Sequence, residues 1–179
     1  MQIDRLNPRT RNRALPSGKV TFRQYWGFLV ASTALFVLAA YMLNRLAFYL
    51  SPVALVIVFG YSFAKRFTPY SHLWLGIAIS IAPVGAWVAV REEISLVSLV
   101  LGAAVVFWLV GFDIIYSCVD VESDSKNKLH SIPQRFGVER ALQLAFLSHG
   151  AMLLFLLGLL FVPVLGGVYL AGVVLVAGL

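Results

Sequence analysis

Five stretches of this chain carry no Asp, Glu, Lys or Arg: Gln24 to Asn44, Leu46 to Ala64, Phe67 to Val90, Ile94 to Phe112, and Ala141 to Leu179. A helix rises about 1.5 Å per residue, so roughly 20 apolar residues cross a hydrocarbon core about 30 Å thick. The first four stretches match that length. The fifth is nearly twice as long and holds "FVPVLGG" near its middle, so it reads as two spans joined by a turn. The pattern predicts six membrane helices near 24–44, 47–64, 72–90, 95–112, 141–161 and 163–179. The fold class is therefore all-α, a polytopic helical bundle forming a single membrane-embedded domain over residues 1–179. Composition argues against a water-soluble helical core. Hydrophobic residues make up 60% of the chain and charged residues 12%, where soluble domains carry about a quarter. The first apolar segment follows a basic stretch, with no short apolar core and small-residue cleavage site ahead of it, so it does not read as a signal peptide.

The basic residues are distributed unevenly between the turns. The N-terminal tail holds Arg5, Arg9, Arg11, Arg13, Lys19 and Arg23; the turn after the second span holds Lys65 and Arg66; the loop after the fourth holds Lys126, Lys128, Arg135 and Arg140. The alternate turns hold only Arg45 and Arg91. Basic residues mark the cytoplasmic side of multi-span proteins. This asymmetry predicts cytoplasmic segments at 1–23, 65–71 and 113–140, in a chain of the inner (cytoplasmic) membrane. It also accounts for the net charge of +6 without a nucleic-acid partner. Three polar segments at one face of a bilayer can meet although they lie far apart in the chain. Cys118 is the only cysteine, which rules out an intrachain disulfide.

The stretch "DIIYSCVDVESDSKNKLHSIPQRFG" gathers half of the chain's eight acids directly after an apolar span. Asp113, Asp120 and Asp124 are spaced by seven and then four residues. If the helix continues past Phe112, 100° per residue brings these three within about 40° of one another, with Tyr116 on the adjoining edge and Glu122 opposite. Like charges on one stripe repel, so a cation should neutralise them. Mg²⁺ prefers carboxylate oxygens and takes one or two of them together with substrate phosphates. A solvated juxtamembrane loop remains the plain alternative. Ion pumping fits poorly, because pumps place ionisable groups inside their spans and these spans hold no Asp, Glu, Lys or Arg.

The tail "DRLNPRTRNRALPSGKVT" offers the complement. Arg9 and Arg13 are four residues apart, and Pro8, Pro16 and Gly18 limit any helix there to about two turns. Arginine forks suit phosphate oxygens. Asp4 precedes the cluster, and Lys65 with Arg66 can reach the same mouth or snorkel at a helix end. Acids and arginines at one membrane mouth, beneath apolar helices, describe a site for an amphiphile with a phosphorylated head. His72, His130 and His149 are too dispersed to predict a metal site, and Pro83 with Gly85 predicts a kink or a close helix approach.

"DRLNPRTRNRALPSG" and "DIIYSCVDVESDSKNKLHSIPQRFG" resemble the two cytoplasmic signature loops of the UbiA-type intramembrane aromatic prenyltransferases. "YSFAKRFTPYSHLWLG" and "IAPVGAW" resemble the family's connecting loop and the span after it. The resemblance implies nine spans around a central cavity and two aspartate-rich motifs that hold Mg²⁺ and a prenyl diphosphate. It implies that the diphosphate leaves and the allylic cation attacks an aromatic ring. On it, Asp113, Asp120 and Asp124 take the place of the second motif, as metal ligands, with Tyr116 at the motif's tyrosine; Asp113, Asp120 and Tyr116 are the catalytic candidates. Asp4 takes the place of the first motif's last aspartate and is a fourth metal candidate. Arg9 and Arg13 match the basic positions after that motif, and with Lys65 and Arg66 they are candidates to bind the diphosphate or the aromatic acid. Ala14 stands where the family usually has proline.

The family's first motif runs Asn-Asp-x-x-x-Asp-x-x-x-Asp at the end of its second span, and only its last aspartate is matched here. The six predicted spans then correspond to the family's third to eighth, so the chain is expected to be a fragment. "RTRNRALPSG" and "LHSIPQRFG" resemble the 4-hydroxybenzoate and menaquinone-pathway branch, which implies an aromatic acid as acceptor, ubiquinone or menaquinone as the end product, and the lipid bilayer as surroundings. A noncatalytic membrane module and a small-molecule transporter are the competing expectations.

Overall fold

The computed structural model describes residues 11–64, 66–126, 129–162 and 166–178, the side chain of Ser123 excepted. Among them are five helices long and apolar enough to cross a membrane. They are α1 (Phe22–Leu43), α2 (Arg45–Ala64), α3 (Ser71–Arg91), α4 (Leu96–Cys118) and α7 (Val138–Gly158), the last extended by a 3₁₀ turn over Leu159–Phe161. Two short helices, α5 (Val121–Lys126) and α6 (Ile132–Phe136), fill the loop between α4 and α7. The predicted sixth span is a helix of 11 residues, α8 (Gly167–Ala177).

The helices pack chiefly in chain order, α1 on α2, α2 on α3, α3 on α4, and then α4 on α7 across the intervening loop. Their outward faces are apolar and exposed, with Phe28, Val56, Phe146 and Leu154 among the most open side chains. Such a surface has lipid as its solvent, where helices already satisfy their own peptide groups. Small residues set the approach of α3, α4 and α7. A Cβ on Gly76 would stand 2.7 Å from the Val106 carbonyl oxygen, and one on Gly111 would stand 2.5 Å from the His149 ring. The close approach expected at Gly85 is not found, since a Cβ there meets nothing within 4 Å.

Local chemistry explains most helix ends. Thr21 and Ser95 each close a capping box, with Gln24 and Ser98 respectively. Asn44 joins three elements at one end of the bundle: its side chain accepts from the Ala47 N–H and donates to the Val88 and Ala89 carbonyls at the end of α3. Pro52 lies inside α2 and has no N–H for the Phe48 carbonyl, so the Ser51 hydroxyl donates to that oxygen at 2.8 Å instead.

The expectation of one helix running through Asp113, Asp120 and Asp124 is corrected. α4 ends at Cys118, and Val119 and Asp120 form a turn before α5. Side chains compete for the last carbonyls: Ser117 Oγ and Cys118 Sγ both donate to Ile114 O, and the Asp120 N–H turns back to Ser117 O. The Asp120 carbonyl then accepts from the Asp124 N–H and opens α5.

Candidate active site at the polar end of the bundle

The end opposite Asn44 collects the polar segments. The C-terminus of α2, the N-terminus of α3, the last turns of α4 and the α5–α6 loop meet there. His72, in the first turn of α3, joins them. Its Nδ1 lies 2.7 Å from Asp113 Oδ2 on α4, and its Nε2 accepts from the Ile132 N–H at the start of α6 over a long 3.4 Å. The ring is 0% exposed and the Asp113 side chain 19% exposed. Because the Ile132 N–H points at Nε2, that nitrogen presents a lone pair and the proton sits on Nδ1, facing the carboxylate. In that tautomer the Nδ1–H donates to Asp113 Oδ2.

The acids divide by burial. Asp120 is 8% and Asp124 4% exposed. Glu122, between them, has a side chain 92% exposed, and its loose 3.9 Å pair with Lys126 is solvated. The four-residue spacing therefore keeps Asp120 and Asp124 on the inner side although the helix breaks ahead of them. Buried carboxylates are uncommon unless a positive partner or a metal faces them. Among the described residues no three His, Cys, Asp or Glu side chains form a closed metal cage. A donor set of separated carboxylates at a mouth still fits Mg²⁺, which keeps part of its coordination for water and phosphate.

Of the other predicted residues, Tyr116 is exposed and stacks on Phe112 with ring centroids 6.0 Å apart. Arg13 is exposed, and Tyr61, in the last turn of α2, lies within electrostatic reach of both Arg13 and Asp113. That brings Arg13 and Asp113 to one mouth. Arg66 holds its guanidinium over the Phe63 ring, 5.8 Å from the centroid, and among the described residues makes no ion pair with the acids. Asp4, Arg9 and Lys65 lie outside the described residues. Sequence reasoning missed His72 and Tyr61: neither belongs to a charge cluster, and His72 is 41 residues from the carboxylate it holds.

Away from the mouth, α1, α2 and α3 border a half-open apolar cavity of about 540 Å³, lined by Phe36, Leu43, Ala54, Ile57, Ile77 and Val88 among others. Ile57 lies one helical turn before Tyr61, and Ile77 about one turn beyond His72, so the cavity extends toward the polar mouth.

Residues 1–179 match the family described as the UbiA prenyltransferase family. A 4-hydroxybenzoate octaprenyltransferase from Vibrio parahaemolyticus serotype O3:K6 is 36% identical over 137 residues, which is 76% of this chain and 48% of that protein. A protein of the same name from Salmonella paratyphi C is 35% identical over 170 residues, 95% of this chain and 58% of the relative. The chain thus spans about half the length of the curated relatives it matches. The apo structure of a UbiA homologue from Aeropyrum pernix K1 superposes with a TM-score of 0.91 at 36% identity, covering 97% of this chain and 66% of that one.

Proposed function

Because the chain belongs to the UbiA prenyltransferase family, we propose that it carries out, or forms the larger part of a protein that carries out, prenyl transfer. The donor is a polyprenyl diphosphate and the acceptor an aromatic acid such as 4-hydroxybenzoate, in quinone biosynthesis leading to ubiquinone or menaquinone. The single observation that carries this reading is the convergence at one mouth of Asp113, the buried pair Asp120 and Asp124, and Arg13, with an apolar cavity leading away. The similarity to 4-hydroxybenzoate octaprenyltransferases supports the choice of acceptor.

In this reading Asp113, Asp120 and Asp124 hold Mg²⁺, joined by Asp4. When bound, Mg²⁺ supplies positive charge to the departing diphosphate. Arg9, Arg13, Lys65 and Arg66 bind the diphosphate oxygens or the acceptor's carboxylate. Tyr116, three residues after Asp113, is the further catalytic candidate. The apolar cavity takes the isoprenoid tail and excludes water from the allylic cation. The C–O bond to the diphosphate breaks, a C–C bond to the ring forms, and the ring loses a proton. The mouth faces the cytoplasm, as the concentration of basic residues on its segments argues.

The test is product formation from a prenyl diphosphate and 4-hydroxybenzoate in membranes containing the protein, with and without Mg²⁺. Asp113→Asn keeps size and removes charge; the rate should fall by about 10² or more, the scale of losing one charge-stabilising group. An unchanged rate would sink the metal assignment. Absence of any product from the intact protein favours the noncatalytic membrane module, and substrate flux without a covalent product favours a transporter.

A further inference from the structure

His72 lies in the connecting-loop block "YSFAKRFTPYSHLWLG" but was given no role there, yet it touches both ends of the acidic segment. One ring nitrogen holds Asp113, where the segment begins, and the other takes the N–H of Ile132, where α6 opens. Asp120 and Asp124 lie between these two anchors. The Ile132 N–H is buried at the first position of α6, whose cap residue Ser131 makes no side-chain capping bond, so the imidazole is the acceptor that position has. Below the anchors, Ile132 packs with Ile114, Ala141 and Ala145. The ring thus ties α3, α4 and α6 together at a buried point.

We infer that His72 is a positioning residue for the acidic site: one buried imidazole clamps Asp113 and the far end of the Asp120–Asp124 loop, and so sets the spacing at which the carboxylates face a divalent cation and its phosphate ligand. This rests on the function proposed above. Full burial keeps the ring from touching substrate, which separates this role from that of a catalytic base. The bond occupies Oδ2 of Asp113 and leaves the carboxylate its second oxygen for the mouth. It also fixes the plane of the carboxylate, as partners behind metal ligands commonly do.

Two variants and two readouts test the inference on the chain in detergent or nanodiscs. His72→Phe keeps the ring's bulk and loses both polar contacts. His72→Asn keeps an N–H near the Nδ1 position. The first readout is thermal stabilisation by Mn²⁺ or Mg²⁺ in the presence of inorganic pyrophosphate. His72→Phe should raise the half-saturating cation concentration by about 10-fold or more, the scale seen for such partners, and His72→Asn should recover most of it. Unchanged cation affinity in His72→Phe, whatever its melting temperature, overturns the inference, as does equal damage in both variants.

The second readout needs no cation: the ring ¹⁵N resonances of His72 at fixed pH. A protonated Nδ1 whose shift moves in Asp113→Asn supports the clamp; a proton on Nε2, or a shift indifferent to Asp113, overturns it. A wild-type chain that takes up no cation refutes the function proposed above, and the nitrogen spectrum then judges the clamp separately.

Discussion

Replacing Gly76 with alanine tests how the helix register reaches the site. The new Cβ would stand 2.7 Å from the Val106 carbonyl oxygen, 3.1 Å from its Cγ1 and 3.2 Å from its Cα. A carbon tolerates a carbonyl oxygen at about 3.3 Å, so α3 and α4 must separate locally by about 0.6 Å. The obstacle is backbone in mid-helix and cannot rotate aside. His72 lies one turn from Gly76 on α3, and its 2.7 Å contact with Asp113 bridges the same two helices. A shift of that size stretches the contact from 2.7 Å to about 3.3 Å, from a short hydrogen bond to a long, weak one. Gly85→Ala in the same helix is the control, because a Cβ there meets nothing within 4 Å. Both variants gain alanine's helix propensity, which cancels in the comparison. The remaining difference is overpacking, about 1–3 kcal/mol. For a chain of this size that separates the two melting temperatures by several degrees, at about 2–4 °C per kcal/mol. Thermal unfolding in detergent reads the stability difference, and the His72 nitrogen shifts read the stretched contact. Equal melting temperatures, or an undisturbed His72 resonance in Gly76→Ala, would refute the reasoning.

Two further outcomes concern the scaffold. Asn44→Ala removes two donated bonds and one accepted bond at the far end of the bundle, and should cost about 1–3 kcal/mol in unfolding measurements. Ser51→Ala should cost about 1 kcal/mol in the native background and nearly nothing alongside Pro52→Ala, which restores the N–H that the Phe48 carbonyl lacks. A double-mutant cycle without coupling would show that the hydroxyl does not replace the missing donor.

Most of this molecule's local order follows from its sequence alone. Charge-free runs of about 20 residues dictate spans because a bilayer core admits little else. The four-residue step from Asp120 to Asp124, with Glu122 out of phase, already told which acids turn inward. That step survives the break in the helix because each short piece keeps the 3.6-residue period. The break itself was not legible, since it lies where the Val119 and Asp120 N–H groups turn back to carbonyls three residues earlier, those of Tyr116 and Ser117.

His72 was decided only by tertiary packing. Its contact with Asp113 joins residues 41 apart and exists because α3 and α4 run alongside in one register. That register is set where Gly76 lets the Val106 backbone close in. Periodicity records which face of a helix is apolar; it does not record which helix lies against that face, or at what height. Those depend on side-chain shape between segments distant in the chain, and they turn a histidine that its own loop block did not single out into the residue that bridges Asp113 and Ile132.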